Sequence, residues 1–159
     1  MVEKHLIGLA GEYAVASEIC RRGMNAVVTL GKRKSVDIIV EDESLARLIQ
    51  VKTKTGREWP GVKGVKGDNI LILVDFQKRK LVERADFYIF NAEDWENFQS
   101  ERIKFYEKKY GVNSFKVRDD GVLIWPAKTE GKSAYVGIGI LAENVADFKE
   151  NWDKIFERS

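Results

Sequence analysis

Asp37, Gln50 and Lys52 are polar residues set into two stretches that are otherwise rich in apolar and β-branched residues. The first stretch is Val36-Asp37-Ile38-Ile39-Val40, and the second runs from Leu45 through Ile49-Gln50-Val51-Lys52 to Lys54. The acidic run Glu41-Asp42-Glu43-Ser44 between them suits a turn, so together they read as a β-hairpin. An antiparallel pair folded about the Glu43/Ser44 midpoint sets Asp37 opposite Gln50, and opposed residues share a face. Lys52, two positions from Gln50, points the same way. The spacing predicts a carboxylate, an amide and an ammonium on one face of a sheet. A slip of one residue in register would part them.

A fourth group comes from the segment before the hairpin. Residues 5–23 carry Leu6, Leu9, Tyr13, Ala16 and Cys20 at helical spacing, and Gly23 follows Arg21-Arg22 as a stop. Two acids interrupt this helix. Glu18 has Arg22 four residues later and reads as an exposed ion pair. Glu12 lies in a column with Gly8, Ala16 and Ile19, at the edge of the apolar stripe, where a carboxylate is costly unless compensated. It is either a rim acid reaching water or an acid aimed at a site across the helix–sheet boundary.

Cations flank the hairpin. Lys32, Arg33 and Lys34 precede it, and Arg57, Lys63 and Lys66 follow in a Gly- and Lys-rich stretch, residues 55–68. Such residues position nucleic-acid backbones, although a charge run is more commonly a solvated loop. The 55–68 stretch reads as a loop, either a flap over a substrate or a surface connection, with Trp59 as its packing anchor.

The remaining elements must position these groups. Asn25 to Leu30 reads as a short strand, Asn69 to Phe76 as a buried one and Ala85 to Phe90 as another. A helix is expected from Asn91 or Glu93 to Tyr110, ended by Gly111. A small hairpin is expected over Phe115–Val117 and Gly121–Trp125, then an apolar segment over Ala134–Leu141. A closing amphipathic helix is expected over Asn144–Phe156, with Val145, Phe148, Trp152, Ile155 and Phe156 inward. The aromatics of residues 87–156 read as core. Both hairpin faces carry apolar residues, so the sheet wants cover on both sides and an α/β architecture follows.

Composition sets the outer bounds. The chain has 159 residues, 44% hydrophobic and 33% charged, as expected of one soluble domain over residues 1–159. No apolar run is long enough for a membrane helix, and the N-terminus lacks a signal-peptide pattern. The single cysteine, Cys20, excludes an intramolecular disulfide and a zinc cluster, and a cytoplasmic setting is expected. The net charge of +2 is unevenly spread. Residues 1–80 hold 15 Lys/Arg against 10 Asp/Glu, and residues 81–159 hold 12 against 15. The basic half contains the hairpin, which is compatible with a polyanionic partner.

Helix, strand, strand with Asp, strand with Gln-x-Lys is an order that resembles the PD-(D/E)xK nuclease superfamily, in its Q-x-K form. Gly11-Glu12, Val36-Asp37-Ile38-Ile39 and Ile49-Gln50-Val51-Lys52 carry the resemblance, which covers about the first half of the chain. It departs from the pattern at Val36, where a Pro is usual, and at Gln50, where an acid is usual. The resemblance implies a restriction-endonuclease-like core: a central mixed β-sheet flanked by helices, here with a C-terminal helical extension. It also implies Mg²⁺-dependent hydrolysis of phosphodiesters in nucleic acid, chiefly DNA, with Mn²⁺ as the alternative ion. Asp37, the Gln50 side-chain oxygen, the Val51 carbonyl and Glu12 would hold the metal, and Lys52 would position or deprotonate water or offset developing charge. Lys54 shares the face and joins the phosphate contacts, and a homodimer is common where this fold cuts duplexes. Because Gln50 removes a charge from the metal site, a nuclease fold that binds nucleic acid or a protein partner without hydrolysis is the competing expectation. A purely structural or protein-interaction domain is the third.

Overall fold

The computed structural model describes residues 3–29, 36–42 and 45–157. Lys32, Arg33, Lys34 and the hairpin tip Glu43-Ser44 lie outside the described residues.

Helix α1 spans Lys4–Arg21 and ends where Gly23 takes a φ of 88°. Strands β1 (Asn25–Val28), β2 (Ile38–Asp42) and β3 (Leu45–Lys54) follow. Then come β4 (Glu58–Val62), β5 (Ile70–Asp75) and β6 (Asp86–Phe90). Helix α2 covers Ala92–Tyr110. Asn91 caps it by accepting from the Asp94 N–H at 2.8 Å, while Asp94 reaches back to the Asn91 N–H. Short strands β7 (Lys116–Val117), β8 (Leu123–Trp125), β9 (Tyr135–Val136) and β10 (Ile138–Leu141) complete the β structure.

The central sheet has five strands in the order β1-β2-β3-β5-β6. Only the β3–β5 pair is parallel, so the sheet is mixed. Each face is covered. Val15, Ala16 and Ile19 of α1, with Trp152 and Ile155, pack on Ile49, Val51, Ile70, Ile72 and Val74. Trp59, Trp95, Phe98, Tyr106, Ile138 and Val145 pack on Leu71, Leu73, Tyr88 and Phe90 of the other face. This is the expected mixed α/β class, with the sheet between helical layers. The second face is not fully roofed. Val27, Ile39 and Leu48 form a cross-strand row in which Val27 and Leu48 are exposed.

Four expectations change. The stripe on α1 is rotated: Leu6, Tyr13 and Cys20 face solvent, and Gly11, Val15, Ala16 and Ile19 are buried. The small Gly11 lets the helix settle on a face that hydropathy alone does not select. Glu18 is no solvated acid. It is buried, and its carboxylate receives Arg21, Arg22 and Arg84, with Arg84 also bridging to Glu150. The Arg84 and Arg22 hydrogen bonds hold its pKa down at about 2.

Residues 55–68 are not a flap. Glu58–Val62 pairs with β10, and Trp59, Val62 and Val65 are buried. Gly64, at φ 90°, lies so close to the Trp95 indole that a Cβ would overlap it. Trp59 anchors the segment as expected, donating its indole N–H to the Val74 carbonyl at 3.0 Å. The closing helix is broken into a 3₁₀ segment, Ala142–Phe148, and a one-turn helix α3, Asp153–Phe156. Between them the Glu150 N–H leaves the helical path to bond the Phe87 carbonyl at 2.9 Å, with Glu150 at φ 57°. Val145, Trp152 and Ile155 still point inward.

Candidate functional site

The β2–β3 ladder pairs Ile38 with Ile49 and Ile39 with Leu48. Its last pair is Ile38 with Ile49, one residue short of the expected pairing of Asp37 with Gln50. The ladder ends there, because β2 begins at Ile38 while β3 runs on to Lys54 beside β5. Asp37 closes this end. Its backbone N–H donates to the Ile49 carbonyl at 2.9 Å, and its carboxylate Oδ2 accepts the Val51 N–H at 2.7 Å. A side-chain oxygen thus takes the place of a missing strand.

Backbone alternation then aims β3. The Phe76 N–H donates to the Lys54 carbonyl at 2.9 Å, so Lys54 turns its backbone toward β5. By the same parity Val51 and Thr53 turn theirs to the opposite edge, where β2 has stopped. The Val51 carbonyl therefore faces the notch that holds Asp37. Side chains alternate the other way. Val51 packs under α1, while Gln50 and Lys52 stand beside Leu71 and Leu73 on the second face.

Helix α1 crosses β3 at this notch. A Cβ on Gly11 would lie 1.9 Å from Thr53 Oγ1, so only glycine permits the approach. Glu12, the next residue, is half-buried. Burial raises its pKa above the ordinary 4.5, the negative charge of Asp37 raises it further, and the Lys52 ammonium lowers it. The Glu12 carboxyl thus feels both hairpin charges. Glu12, Asp37, Lys52 and the Val51 backbone gather at the end of the β2 ladder, and Gln50 precedes Val51 on β3, beside Leu71. Among the described residues no ion pair engages Lys52, and no three His, Cys, Asp or Glu side chains form a metal-binding cluster. The expected donor set would be two carboxylates, an amide oxygen and a backbone carbonyl. All are hard oxygens, as Mg²⁺ prefers, and few enough to leave room for water on the ion. Mutual repulsion between Glu12 and Asp37 is a deficit that a cation would relieve.

Lys54 must be removed from the expected phosphate contacts. It is 4% exposed, pairs with Asp75 at 2.7 Å, donates to the Gly56 carbonyl and Gln77 Oε1, and lies 4.5 Å from the Trp59 ring centre. Lys54 shares the face of Lys52, but Trp59 and Asp75 enclose it, which alternation alone could not reveal. Arg57, Lys63 and Lys66 are exposed. Thr53 was not anticipated at all. Its Oγ1 is buried without a hydrogen-bond partner among the described residues, pressed against Gly11. The Gly8/Gly11 spacing on α1 was the available signal for a close helix–strand crossing.

No protein-family model and no curated protein matches the chain. Among solved structures it is similar to a bacterial homing endonuclease, I-Ssp6803I, at a TM-score of 0.50 and 15% identity. The match covers 96% of this chain and 91% of that one, so the likeness extends over both halves and is one of fold.

Proposed function

We propose that the protein is a metal-dependent phosphodiesterase of the PD-(D/E)xK type acting on nucleic acid, with DNA as substrate. The observation that carries this reading is the notch at the end of β2, where Asp37 accepts the Val51 N–H and shares its surroundings with Glu12 and Lys52. The fold likeness to a homing endonuclease supports it.

Asp37, Glu12, the Gln50 oxygen and the Val51 carbonyl would hold Mg²⁺ or Mn²⁺. When bound, such an ion supplies Lewis-acid polarisation and acidifies water. Asp37 is oriented by its bond to Val51, so it enters the site with its rotamer already set. Lys52 offers a half-buried ammonium to a phosphate, offsetting charge that grows during attack, or holds the attacking water. Exposed Arg57, Lys63 and Lys66, with Lys32, Arg33 and Lys34, would contact phosphates further along the strand. The incompletely roofed row of Val27, Ile39 and Leu48 leaves the second face accessible beside Gln50. Cutting both strands of a duplex would call for two copies of the chain.

Cleavage of single-stranded, duplex and branched DNA in Mg²⁺ and Mn²⁺ tests the reading. Wild type should cut, and Asp37→Ala and Lys52→Ala should not. Cutting that survives both substitutions overturns the site. Gln50 favours one other reading, a nuclease fold that binds without hydrolysis. Salt-sensitive binding with no cleavage in either metal would establish that instead.

A further inference from the structure

A second recess lies on the same side of the sheet, between the C-terminal end of α2 and the β8–β9 connection, with a volume of about 900 Å³. Tyr106, Tyr110, Trp125 and Tyr135 line it, with Lys128 and Lys132 at its rim and Glu58 in its wall. The rings are fixed. Trp125 donates its indole N–H to the Gly137 carbonyl at 3.0 Å and stands edge-on to Tyr106 and Tyr110. Tyr135 accepts the Gly61 N–H through its hydroxyl. Tyr110 and Tyr135 are 53% and 42% exposed, unlike the core aromatics, so these rings keep accessible surface toward the recess even though Tyr110 stacks loosely on Tyr106.

We propose that this recess stacks an unpaired nucleobase, with Lys128 and Lys132 holding the flanking phosphates. Every base offers a π-face to such rings, and the paired lysines match the backbone's charge. The surroundings choose an anionic guest over a cationic one. Arg102 already lies 4.9 Å from the Tyr106 ring centre and Lys109 5.1 Å from that of Tyr110. Lys128 and Lys132 line the recess against Glu58 alone, and with Arg102 and Lys109 on neighbouring ring faces the surroundings disfavour a quaternary ammonium despite the aromatic walls. Glu58 remains as an acceptor for an exocyclic amino group.

Position joins the recess to the candidate site. Glu58 follows Lys52 by six residues, which bounds their Cα separation to about 20 Å. Trp59, beside Glu58, carries the Lys54 ammonium on its ring, and Lys54 shares the face of Lys52. A strand leaving the notch on this face can reach the recess with a few nucleotides. The substrate class that follows is nucleic acid with an unpaired segment next to the cleavage position.

This inference rests on the nucleic-acid reading but not on cleavage, so it is tested with divalent ions chelated. The probes are oligothymidylate and a blunt duplex. Trp59, Trp95 and Trp152 are buried, so quenching of tryptophan fluorescence reports Trp125. Oligothymidylate should quench wild type, and Trp125→Phe should lose the signal. Tyr110→Ala should weaken oligothymidylate binding roughly tenfold, the scale of one lost base stack, and leave duplex binding unchanged. Tyr110→Phe should restore it. Lys128→Ala with Lys132→Ala should lower the salt slope by about 1.4, at about 0.7 per phosphate contact on a single strand. Oligothymidylate binding that ignores Tyr110→Ala and the lysine pair, with far-ultraviolet circular dichroism unchanged, overturns the recess and leaves the nucleic-acid reading standing. Displacement of the oligonucleotide by a trimethyl-lysine peptide also overturns it. Binding of neither probe overturns both readings.

Discussion

Asp37 Oδ2 accepts the backbone N–H of Val51 at 2.7 Å, so the acid expected to hold a metal also finishes a β-ladder. The two roles separate by substitution. Asp37→Asn keeps an acceptor for Val51, so its urea midpoint should stay near wild type while cleavage falls below detection. Asp37→Ala leaves the N–H without its partner and should cost about 1–3 kcal/mol in the same unfolding measurement. Equal stability of the two variants would show that water replaces the carboxylate there.

Gly11 and Thr53 set how closely α1 sits on β3. Gly11→Ala places a Cβ where Thr53 Oγ1 lies and should destabilise by about 1–3 kcal/mol. Because Glu12 rides on the same turn, metal affinity should fall in parallel. Adding Thr53→Ala, which deletes a buried hydroxyl without a described partner, should recover part of the loss, a non-additivity of about 0.5–3 kcal/mol. Denaturation of the four proteins of the cycle reads it directly.

On the proposed metal reading, Glu12 would make cation binding depend on pH. Burial and the Asp37 charge raise its pKa above 4.5, so the folded protein holds this proton more tightly than the unfolded chain. The sign follows: ionising Glu12 costs stability as pH rises from 4.5 through the raised value, and a bound cation would return it. Thermal stabilisation by Mg²⁺ should therefore grow across that interval and vanish below it. Glu12→Gln should flatten the dependence.

Glu18 behaves in the opposite sense. Its pKa is depressed to about 2, chiefly by the Arg84 hydrogen bond, so its contribution is complete above 4.5 and disappears as pH falls toward 2. The contribution at neutral pH is at most about 3 kcal/mol. Acid unfolding of Glu18→Gln should lack this component, while the proposed cleavage and nucleic-acid binding should match wild type.

Lys54 tests structure against contact. Lys54→Met strands the buried Asp75 carboxylate and should cost about 3–5 kcal/mol of stability. At temperatures where the variant is folded, the salt slope of DNA binding should be unchanged. A slope lowered by about 0.9, one phosphate on a duplex, would place Lys54 back among the contacts.

Much of this was legible from residue types. The period-2 pattern and the acidic turn fixed the β2–β3 register from Ile38 with Ile49 onward, and Asn91 and Gly111 marked the ends of α2. What escaped was set by tertiary contacts that leave little local trace. The inward face of α1 was decided by the absent side chain of Gly11 rather than by Leu6 or Tyr13. Glu18 was buried by Arg84, distant in sequence, and the final helix was broken by a backbone bond from Glu150 to Phe87. Lys52 and Lys54 are indistinguishable by spacing, and only Trp59 and Asp75 separate the half-buried lysine from the enclosed one.

The early end of the β2 ladder has a consequence beyond chemistry. A strand that continues past its partner offers bare N–H and C=O groups to any other extended chain, a route to self-association. Asp37 fills that opening with a charge directed inward, which a foreign strand would have to bury. The acid would therefore also disfavour edge-to-edge pairing, so a variant meant to stay monodisperse should retain a polar group at position 37.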